Sequence, residues 1–301
     1  MRVVDRERGD PLGGKAFREL MVDVRYPARW AAGERVAQFA EGEAEAFGEL
    51  AGRFNYGVEP GGVDWGATKT HAYRDVPVKA GRWPVVLYSP GLGDARAWNS
   101  GLVDDLVSRG HVVVTIDHTY DSSGVRFPDG RVERSVLFDA QPSRELIKTI
   151  VDTRVADLRF VLGQLPHVAD RFNLDLRRVA VVGHSAGGTA GLQAAFEDRR
   201  IKAAVNFDGQ LSYALEDDGS DLLQVAQCGL DKPFLLVGAG PPKPSWRALM
   251  ARSEGPHSAL TAPNATHGSF TDAEALLRGD PHGLVGWNRE VVADFLDRAL
   301  R

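Results

Sequence analysis

A five-residue motif centred on a serine is the strongest chemical signal in this sequence of 301 residues. It reads Gly183-His184-Ser185-Ala186-Gly187 and stands directly after an apolar, strand-like run and before a stretch of small residues. A strand that turns sharply into a helix strains the backbone at the serine and leaves room only for small neighbours. The helix N-terminus offers free N–H groups and the positive end of its dipole, which suit a developing oxyanion. The motif predicts that Ser185 is a nucleophile, and an ordinary Gly-Ser turn is the alternative.

A serine hydroxyl becomes a good nucleophile when a neighbouring base takes its proton, and three late histidines are candidates for that base. The strand–serine–helix pattern resembles that of α/β-hydrolases, which keep this histidine after the last strands. His267 lies in such a loop, between the strand-like segment 258–261 and a helical stretch. His257 precedes that strand, and His282 stands near a helix start where a capping or surface role is favoured. We therefore predict His267 as the base, with an ordinary loop histidine as the alternative.

A third residue, an acid, is needed to orient the imidazole and stabilise its charged form. In many α/β-hydrolases the acid follows the second strand after the nucleophile, but here that strand, 233–237, runs into a Gly/Pro segment without a carboxylate. The preceding strand ends at Asp208, at the carboxyl edge of the sheet where functional groups gather. Three later aspartates lie in a polar loop and are predicted to be solvated: Asp217, Asp218 and Asp221. We therefore predict Asp208 as the acid, and a strand-terminating turn residue is the alternative.

Two glycine-rich turns are predicted to frame the reacting carbonyl group. The turn Ser89-Pro90-Gly91-Leu92-Gly93 follows an apolar strand, and its glycines let the main chain approach a substrate closely. We predict the main-chain N–H groups of Leu92 and Ala186 as the oxyanion donors. Three aromatic residues are candidates for lining an acyl pocket, although residues of this type more often belong to the core: Trp98, Trp246 and Phe270.

The elements that position these residues are short strands that alternate with helices from residue 84 onward. The strands are continuously apolar rather than alternating, which implies burial on both faces. The sequence therefore predicts an α/β fold of the α/β-hydrolase type, with a mostly parallel central sheet and helices on both faces. Predicted strands cover 18–27, 84–89, 111–117, 178–183, 201–207 and 232–238; predicted helices cover 32–54, 95–109, 143–165, 189–196 and 287–300; a long loop covers 118–142. We predict a single domain over 1–301, with 28–68 as a lid or capping insertion.

Composition excludes several other classes of protein. A net charge of −5 argues against a nucleic-acid-binding protein, which usually shows a basic surplus. The single cysteine, Cys228, excludes an intrachain disulfide framework and a Cys-rich zinc site. No segment approaches the ~20 apolar residues that a transmembrane helix needs. The N-terminus shows no hydrophobic leader, so we expect a cytoplasmic protein or a secreted one whose signal peptide has been removed.

No metal or cofactor is predicted for the chain. His118, with Asp117 and Asp121 nearby, could suggest a metal site, but the spacing matches no ligand pattern. A hydrogen-bond network that anchors the loop is the favoured interpretation of this cluster.

The chain resembles the platelet-activating-factor acetylhydrolase family (plasma and type II forms) of α/β-hydrolases and its bacterial esterase and lipase relatives. The matching segments are 84–93, 116–121, 183–188, the strand end at Asp208 and 266–270. That family takes its acid from the earlier of the two strands, which agrees with Asp208. The resemblance implies a short-chain ester as substrate, such as an ester of a phospholipid or another lipid.

The predicted function is therefore a cofactor-independent serine hydrolase that acts on an ester of a small molecule or lipid. Three alternatives stay open. The same triad could serve a thioesterase, an amidase, an acyltransferase or a polyester hydrolase. The chain could be a cofactor-free perhydrolase. It could also be a non-catalytic binding module, but the presence of Ser185, Asp208 and His267 together argues against this interpretation.

Overall fold

The computed structural model describes all 301 residues and contains twelve strands. They are β1 (Arg2–Asp5), β2 (Arg18–Arg25), β3 (Arg35–Ala37), β4 (Lys69–Tyr73), β5 (Trp83–Ser89), β6 (Val112–Asp117), β7 (Gly124–Arg126), β8 (Val132–Arg134), β9 (Leu174–His184), β10 (Ile201–Phe207), β11 (Phe234–Gly238) and β12 (His257–Thr261). Eight of them form one sheet in the order β1-β2-β6-β5-β9-β10-β11-β12. The pairs from β6 through β12 are parallel, whereas β2 pairs antiparallel with both β1 and β6. The prediction of a mostly parallel sheet is confirmed.

Eight α-helices connect and cover the strands. They are α1 (Glu43–Phe47), α2 (Ser100–Ser108), α3 (Arg144–Gln164), α4 (Ala186–Glu197), α5 (Gln224–Cys228), α6 (Pro244–Arg252), α7 (Ala273–Leu276) and α8 (Leu284–Ala299). The predicted long helix begins where expected, because the Ser143 side chain accepts a hydrogen bond from the Leu146 N–H at 3.1 Å and so caps α3. None of the helices combines the length and the apolar character that a membrane crossing requires.

Both faces of the sheet are buried, because the side chains of each central strand alternate between two cores. Along β5, Leu87 packs into the core that contains α3 and α4, whereas Val86 packs into the core that contains α2 and α8. Both of these side chains are fully buried. Burial on both faces explains why the central strands are mostly continuous apolar runs in the sequence. The prediction of helices on both faces is confirmed.

The prediction of a single helix over 32–54 is wrong. Residues Arg35–Ala37 form a strand that pairs antiparallel with β4. Only the second half of the segment, residues 43–54, is helical, and it consists of α1, one π-helical turn, Gly48–Gly52, and two further helical residues. Gly42 has a φ of 81°, a left-handed conformation that cannot continue a helix through this point. The stripe of apolar residues that suggested a helix instead packs partly as an aromatic cluster. Phe54 falls outside this cluster and is 58% exposed.

Two other predicted boundaries also change. The loop predicted over 118–142 contains a small hairpin, in which β7 pairs antiparallel with β8. The helix predicted over 95–109 begins only at Ser100, because the residues before it form turns that follow the strand β5. The remaining predicted strands and helices lie within a few residues of their observed bounds.

Candidate active site

Ser185 stands at the sharp turn between β9 and α4, in a strained conformation. Its φ is 52° and its ψ is −124°, which residues with a side chain rarely adopt. Only glycine fits at the neighbouring positions 183 and 187, because other main-chain atoms lie where a side chain would begin. A Cβ atom at Gly183 would lie 2.3 Å from the carbonyl carbon of Gly187, and one at Gly187 would lie 2.0 Å from the Ser89 carbonyl oxygen. Strain of this kind persists where the surrounding fold enforces it and is frequent at catalytic residues.

Asp208 and His267 form the hydrogen bond on which the predicted acid–base pair depends. The Asp208 Oδ2 atom lies 2.7 Å from His267 Nδ1. Asp208 follows β10 with a φ of 56°, and its turn is held because the Asn206 side chain both donates to and accepts from the Gly209 main chain. Burial by itself raises the pKa of Asp208, but hydrogen bonds from His267 and Lys243 outweigh it and lower this pKa to about 2. The carboxylate is therefore charged at neutral pH.

His267 begins a short 3-10 turn, His267–Phe270, that a capping box fixes. The Thr266 side chain and the Ser269 side chain each bond to the other's main chain. The ring of His184 lies 4.6 Å from that of His267, and its Nε2 atom is 2.9 Å from the His267 carbonyl oxygen. Burial lowers the pKa of His184, so this second imidazole is neutral. The side chain of His267 itself is 53% exposed.

Ser185 and His267 face one cavity of about 410 Å³, and Asp208, Leu92 and Ala186 line it with them. The structure forms no hydrogen bond between Ser185 and His267, and such bonds often tighten only when a substrate is bound. The five residues predicted for catalysis thus lie around a single cavity. Their individual roles stay predictions.

The turn that carries Leu92 is held by three side chains: Arg154 and Asn55, which sequence reasoning missed, and Asp121, which belongs to the cluster predicted to anchor a loop. The guanidinium group of Arg154 donates to the Pro90 carbonyl at 2.6 Å and to the Gly91 carbonyl at 3.0 Å. Asp121 accepts from the Gly93 N–H at 3.0 Å. Asn55 donates to the Leu92 carbonyl at 2.8 Å. Arg154 gives the clearest signal in the sequence, because it is a charged residue on the apolar side of a predicted helix. Asp121 lies inside one of the segments that carry the family resemblance.

The three aromatic candidates for an acyl pocket lie in the core, which was the alternative interpretation. Trp98, Trp246 and Phe270 are 0, 1 and 2% exposed and none lines the cavity. Trp98 packs in the aromatic cluster with Phe47, the indole N–H of Trp246 donates to the Gly209 carbonyl at 2.7 Å, and Phe270 belongs to the core beside α8. These rings are therefore fully used in core packing.

The apolar wall of the cavity is aliphatic instead. It is formed by three residues of α3, namely Ile147, Ile150 and Val151, together with Leu92 and Leu215. The polar lining comes from Thr189, Gln210, Ser212 and Lys243 besides the predicted catalytic residues. No residue of the segment 28–68 lines the cavity, so its role as a lid stays a prediction.

The cluster around His118 is a hydrogen-bond network, as the sequence favoured. Its ring nitrogens lie 2.9 Å from the Asp157 carboxylate and 2.9 Å from the Ser89 hydroxyl, and the side chain is fully buried. Burial, followed by the charge of Arg154, lowers the pKa of His118. No group of three or more His, Cys, Asp or Glu side chains in the structure could hold a metal ion.

Comparison with known proteins agrees with this geometry. Residues 59–128 and 145–226 match the family described as platelet-activating factor acetylhydrolase, isoform II. A probable 1-alkyl-2-acetylglycerophosphocholine esterase from Arthroderma benhamiae is 32% identical over 211 residues, which cover 64% of this chain and 50% of the relative. The platelet-activating factor acetylhydrolase of Canis lupus familiaris is 29% identical over 178 residues, which cover 48% of this chain and 39% of the relative. The chain thus spans about half or less of the length of these curated relatives.

One solved structure resembles the whole chain and another resembles about three quarters of it. A ferulic acid esterase from Streptomyces cinnamoneus superposes with a TM-score of 0.82 at 30% identity, covering 100% of this chain and 88% of that one. A dienelactone hydrolase from Anabaena variabilis shares the fold at 20% identity, with a TM-score of 0.51 over 73% of this chain and 88% of that one. The predicted α/β-hydrolase fold and the predicted family resemblance are both confirmed.

Proposed function

Because the chain belongs to the platelet-activating factor acetylhydrolase, isoform II, family, we propose that it is a serine hydrolase that cleaves a carboxylic ester through an acyl-enzyme on Ser185. One observation carries this proposal. The hydrogen-bonded pair of Asp208 and His267, at 2.7 Å, lies on the same cavity as a serine held in a strained turn. A nucleophile, a base and an acid that orients the base are the parts that acyl transfer requires.

In the first half of the reaction, Ser185 Oγ attacks the ester carbonyl carbon while His267 takes the hydroxyl proton. The carbonyl oxygen becomes an anion that the main-chain N–H groups of Leu92 and Ala186 stabilise. When the tetrahedral intermediate collapses, the bond from carbon to the alcohol oxygen breaks and His267 returns its proton to the leaving alcohol. Asp208 keeps the proton on Nδ1 of His267, so that Nε2 is free to act as the base.

In the second half, water takes the place of the alcohol. His267 removes a proton from the water as it attacks the acyl carbon, and the same oxyanion donors stabilise the second intermediate. Its collapse breaks the bond from carbon to Ser185 Oγ, and the proton returns to the serine. The products are a carboxylic acid and the regenerated enzyme.

The cavity favours an ester with a small, flexible acyl or alcohol group. Its aliphatic wall from α3 suits an alkyl chain, and its volume of about 410 Å³ falls in the range typical of small-molecule sites. The Arthroderma relative is described as an esterase of 1-alkyl-2-acetylglycerophosphocholine, so an acetyl ester of a glycerophospholipid is the first substrate to test.

A ferulic acid ester is the second candidate. The reason is coverage, because the ferulic acid esterase matches this chain along 100% of its length, whereas the phospholipid esterase matches 64%. A panel of p-nitrophenyl acetate, 1-alkyl-2-acetylglycerophosphocholine and methyl ferulate separates the two candidates by their kcat/KM values. Thioester and amide analogues, together with an amine acceptor, test for a thioesterase, an amidase or an acyltransferase.

The Ser185→Ala variant tests the nucleophile directly. It should lower kcat for p-nitrophenyl acetate by a factor of about 10⁴ or more and abolish labelling by a fluorophosphonate probe. Ser108→Ala is the matched control, since its hydroxyl lies at the exposed end of α2 and bonds only to the Asp105 carbonyl. Retained turnover in Ser185→Ala with an intact fold by circular dichroism would refute the proposal.

A further inference from the structure

The Asp208 carboxylate has a second partner besides His267. Its Oδ1 atom lies 2.8 Å from the Lys243 ammonium group, while its Oδ2 atom bonds His267. The carboxylate is 7% exposed and the lysine side chain 29%, so the ion pair is largely shielded from water. The only other hydrogen bond to Oδ1 is a long one of 3.4 Å from the Ala239 N–H.

The position of Lys243 in the fold is fixed by its surroundings. It lies at the end of the loop after β11, directly before Pro244, which begins α6. Its ammonium group also lies 5.5 Å from the centre of the Trp246 ring, whose own N–H is tied to the Gly209 carbonyl. The aromatic contact and the ion pair together hold the ammonium group at the edge of the cavity.

We propose that Lys243 is a positioning residue for the acid–base pair, a role that rests on the function proposed above. It fixes the Asp208 carboxylate so that one oxygen faces His267, and its positive charge opposes protonation of His267. A carboxylate shared between two cations stabilises each of them less than it would stabilise one alone. Removal of the lysine should therefore move the acid limb of activity to higher pH.

The other groups around His267 contribute less positive charge to it. His184 packs against its ring but is neutral because burial lowers its pKa. Asp94 lies 3.8 Å from His184 Nδ1 and accepts a hydrogen bond from the Tyr56 hydroxyl at 2.8 Å. Arg278 donates to the Ser269 hydroxyl at 3.3 Å, but its charge is paired with Glu274 at 3.6 Å. Lys243 is thus the cation in direct contact with the pair.

The size of the effect follows from the geometry. An ion pair of 2.8 Å and a hydrogen bond of 2.7 Å, on the two oxygens of one carboxylate, place the ammonium charge about 6 Å from the imidazole. Coulomb's law at that distance, with an effective dielectric constant between about 40 and 80, predicts that removing this charge moves the midpoint of the acid limb of activity by about 0.5–1 pH unit.

The experiment compares the pH dependence of kcat/KM for p-nitrophenyl acetate among four full-length proteins. In Lys243→Met the midpoint of the acid limb should rise by about 0.5–1 pH unit, because the opposing charge is gone. Lys243→Arg keeps the charge and should stay close to the wild type. Lys69→Met, which removes the same charge from an exposed pair with Glu34, should also leave the midpoint unchanged.

An acid limb in Lys243→Met that coincides with the wild type would overturn the proposal, as would an equal shift in Lys243→Arg. An NMR titration of the His267 imidazole, assigned with His267→Gln, measures the same shift without turnover. If Ser185→Ala retains turnover, the proposed function fails, but the titration still tests the effect of Lys243. If activity depends on Ser185 and the titration of Lys243→Met is unchanged, only the proposal for Lys243 fails.

Discussion

Replacement of Arg154 by Met should cost more stability than most single changes in this chain. Arg154 and Asp121 are both fully buried, and their side chains form two hydrogen bonds of 2.6 Å. Removing one member of a buried ion pair leaves the other charge without compensation, which typically costs about 3–5 kcal/mol. The Pro90 and Gly91 carbonyls also lose their donors. We therefore expect at least about 3 kcal/mol of lost unfolding free energy.

The matched control is Arg159→Met on the same helix. Arg159 pairs with Glu197 at 2.7 Å, but the two side chains are 46 and 30% exposed. Pairs of this type contribute about 0–1 kcal/mol. Urea unfolding at a fixed pH, with the slope checked for two-state behaviour, measures the difference between the two variants.

The activity of Arg154→Met should fall as well, because the turn that presents the Leu92 N–H loses two of its anchors. Loss of one oxyanion donor lowers kcat by about 10²–10³-fold, which sets the upper limit of the effect. Arg154→Lys keeps the charge and should be intermediate in both stability and kcat. The double variant with Asp121→Asn should be less destabilised than the sum of the two single variants. Additive losses, or a loss no larger than that of Arg159→Met, would refute the reasoning.

Four further variants follow from the same geometry. Gly188→Ala places a Cβ atom 2.0 Å from the Asn206 amide oxygen and should displace the turn of Asp208, with a loss in both the urea midpoint and kcat. Gly286→Ala, in open space on α8, should instead stabilise by about 0.5–1 kcal/mol. The pKa of Asp208 is held near 2 in the folded protein, so its charged form stabilises the fold by about 2 kcal/mol. This contribution is present above about pH 4 and is lost as the pH falls toward 2. Asp208→Asn should remove this part of the acid sensitivity, which urea unfolding measured across that pH range tests. Ile150→Trp places a larger side chain in the aliphatic wall and so narrows the cavity, and it should lower kcat/KM for long-chain p-nitrophenyl esters more than for the acetate. An equal effect on both esters would contradict the assignment of this wall to the substrate chain.

The parts of the fold that sequence predicted well are those whose pattern is set locally. The strand β6 is buried along its whole length and begins with three valines because both faces of the sheet are covered. The turn at Ser185 requires glycines because main-chain atoms approach within about 2 Å of where a side chain would lie. The segment 32–54 was mispredicted because its strand, Arg35–Ala37, is stabilised by a partner some thirty residues later. No local periodicity contains that information.

The residues of the candidate site also differ in whether local sequence predicts them. Ser185, Asp208 and His267 follow strands or precede helices in a recognisable order, so their positions could be predicted from sequence. Whether an aromatic ring faces the core or the cavity depends on the packing of several elements together, and composition alone favours the core. Nothing in the sequence indicates a role for Lys243, because its partner Asp208 is distant in the chain. A lysine in a Pro-rich loop is expected to be exposed to solvent.

One face of α3 connects substrate selection with stabilisation of the oxyanion. Ile147, Ile150, Val151 and Arg154 follow the spacing i, i+3, i+4, i+7, so they lie along one side of the helix. The first three line the cavity, and Arg154 holds the turn that carries Leu92. A substitution that shifts α3 to admit a larger substrate therefore also moves the anchor of an oxyanion donor. We expect changes of chain-length preference in this wall to alter kcat together with KM, whereas changes at Leu215, which lines the same cavity from outside α3 and is 59% exposed, should alter KM alone.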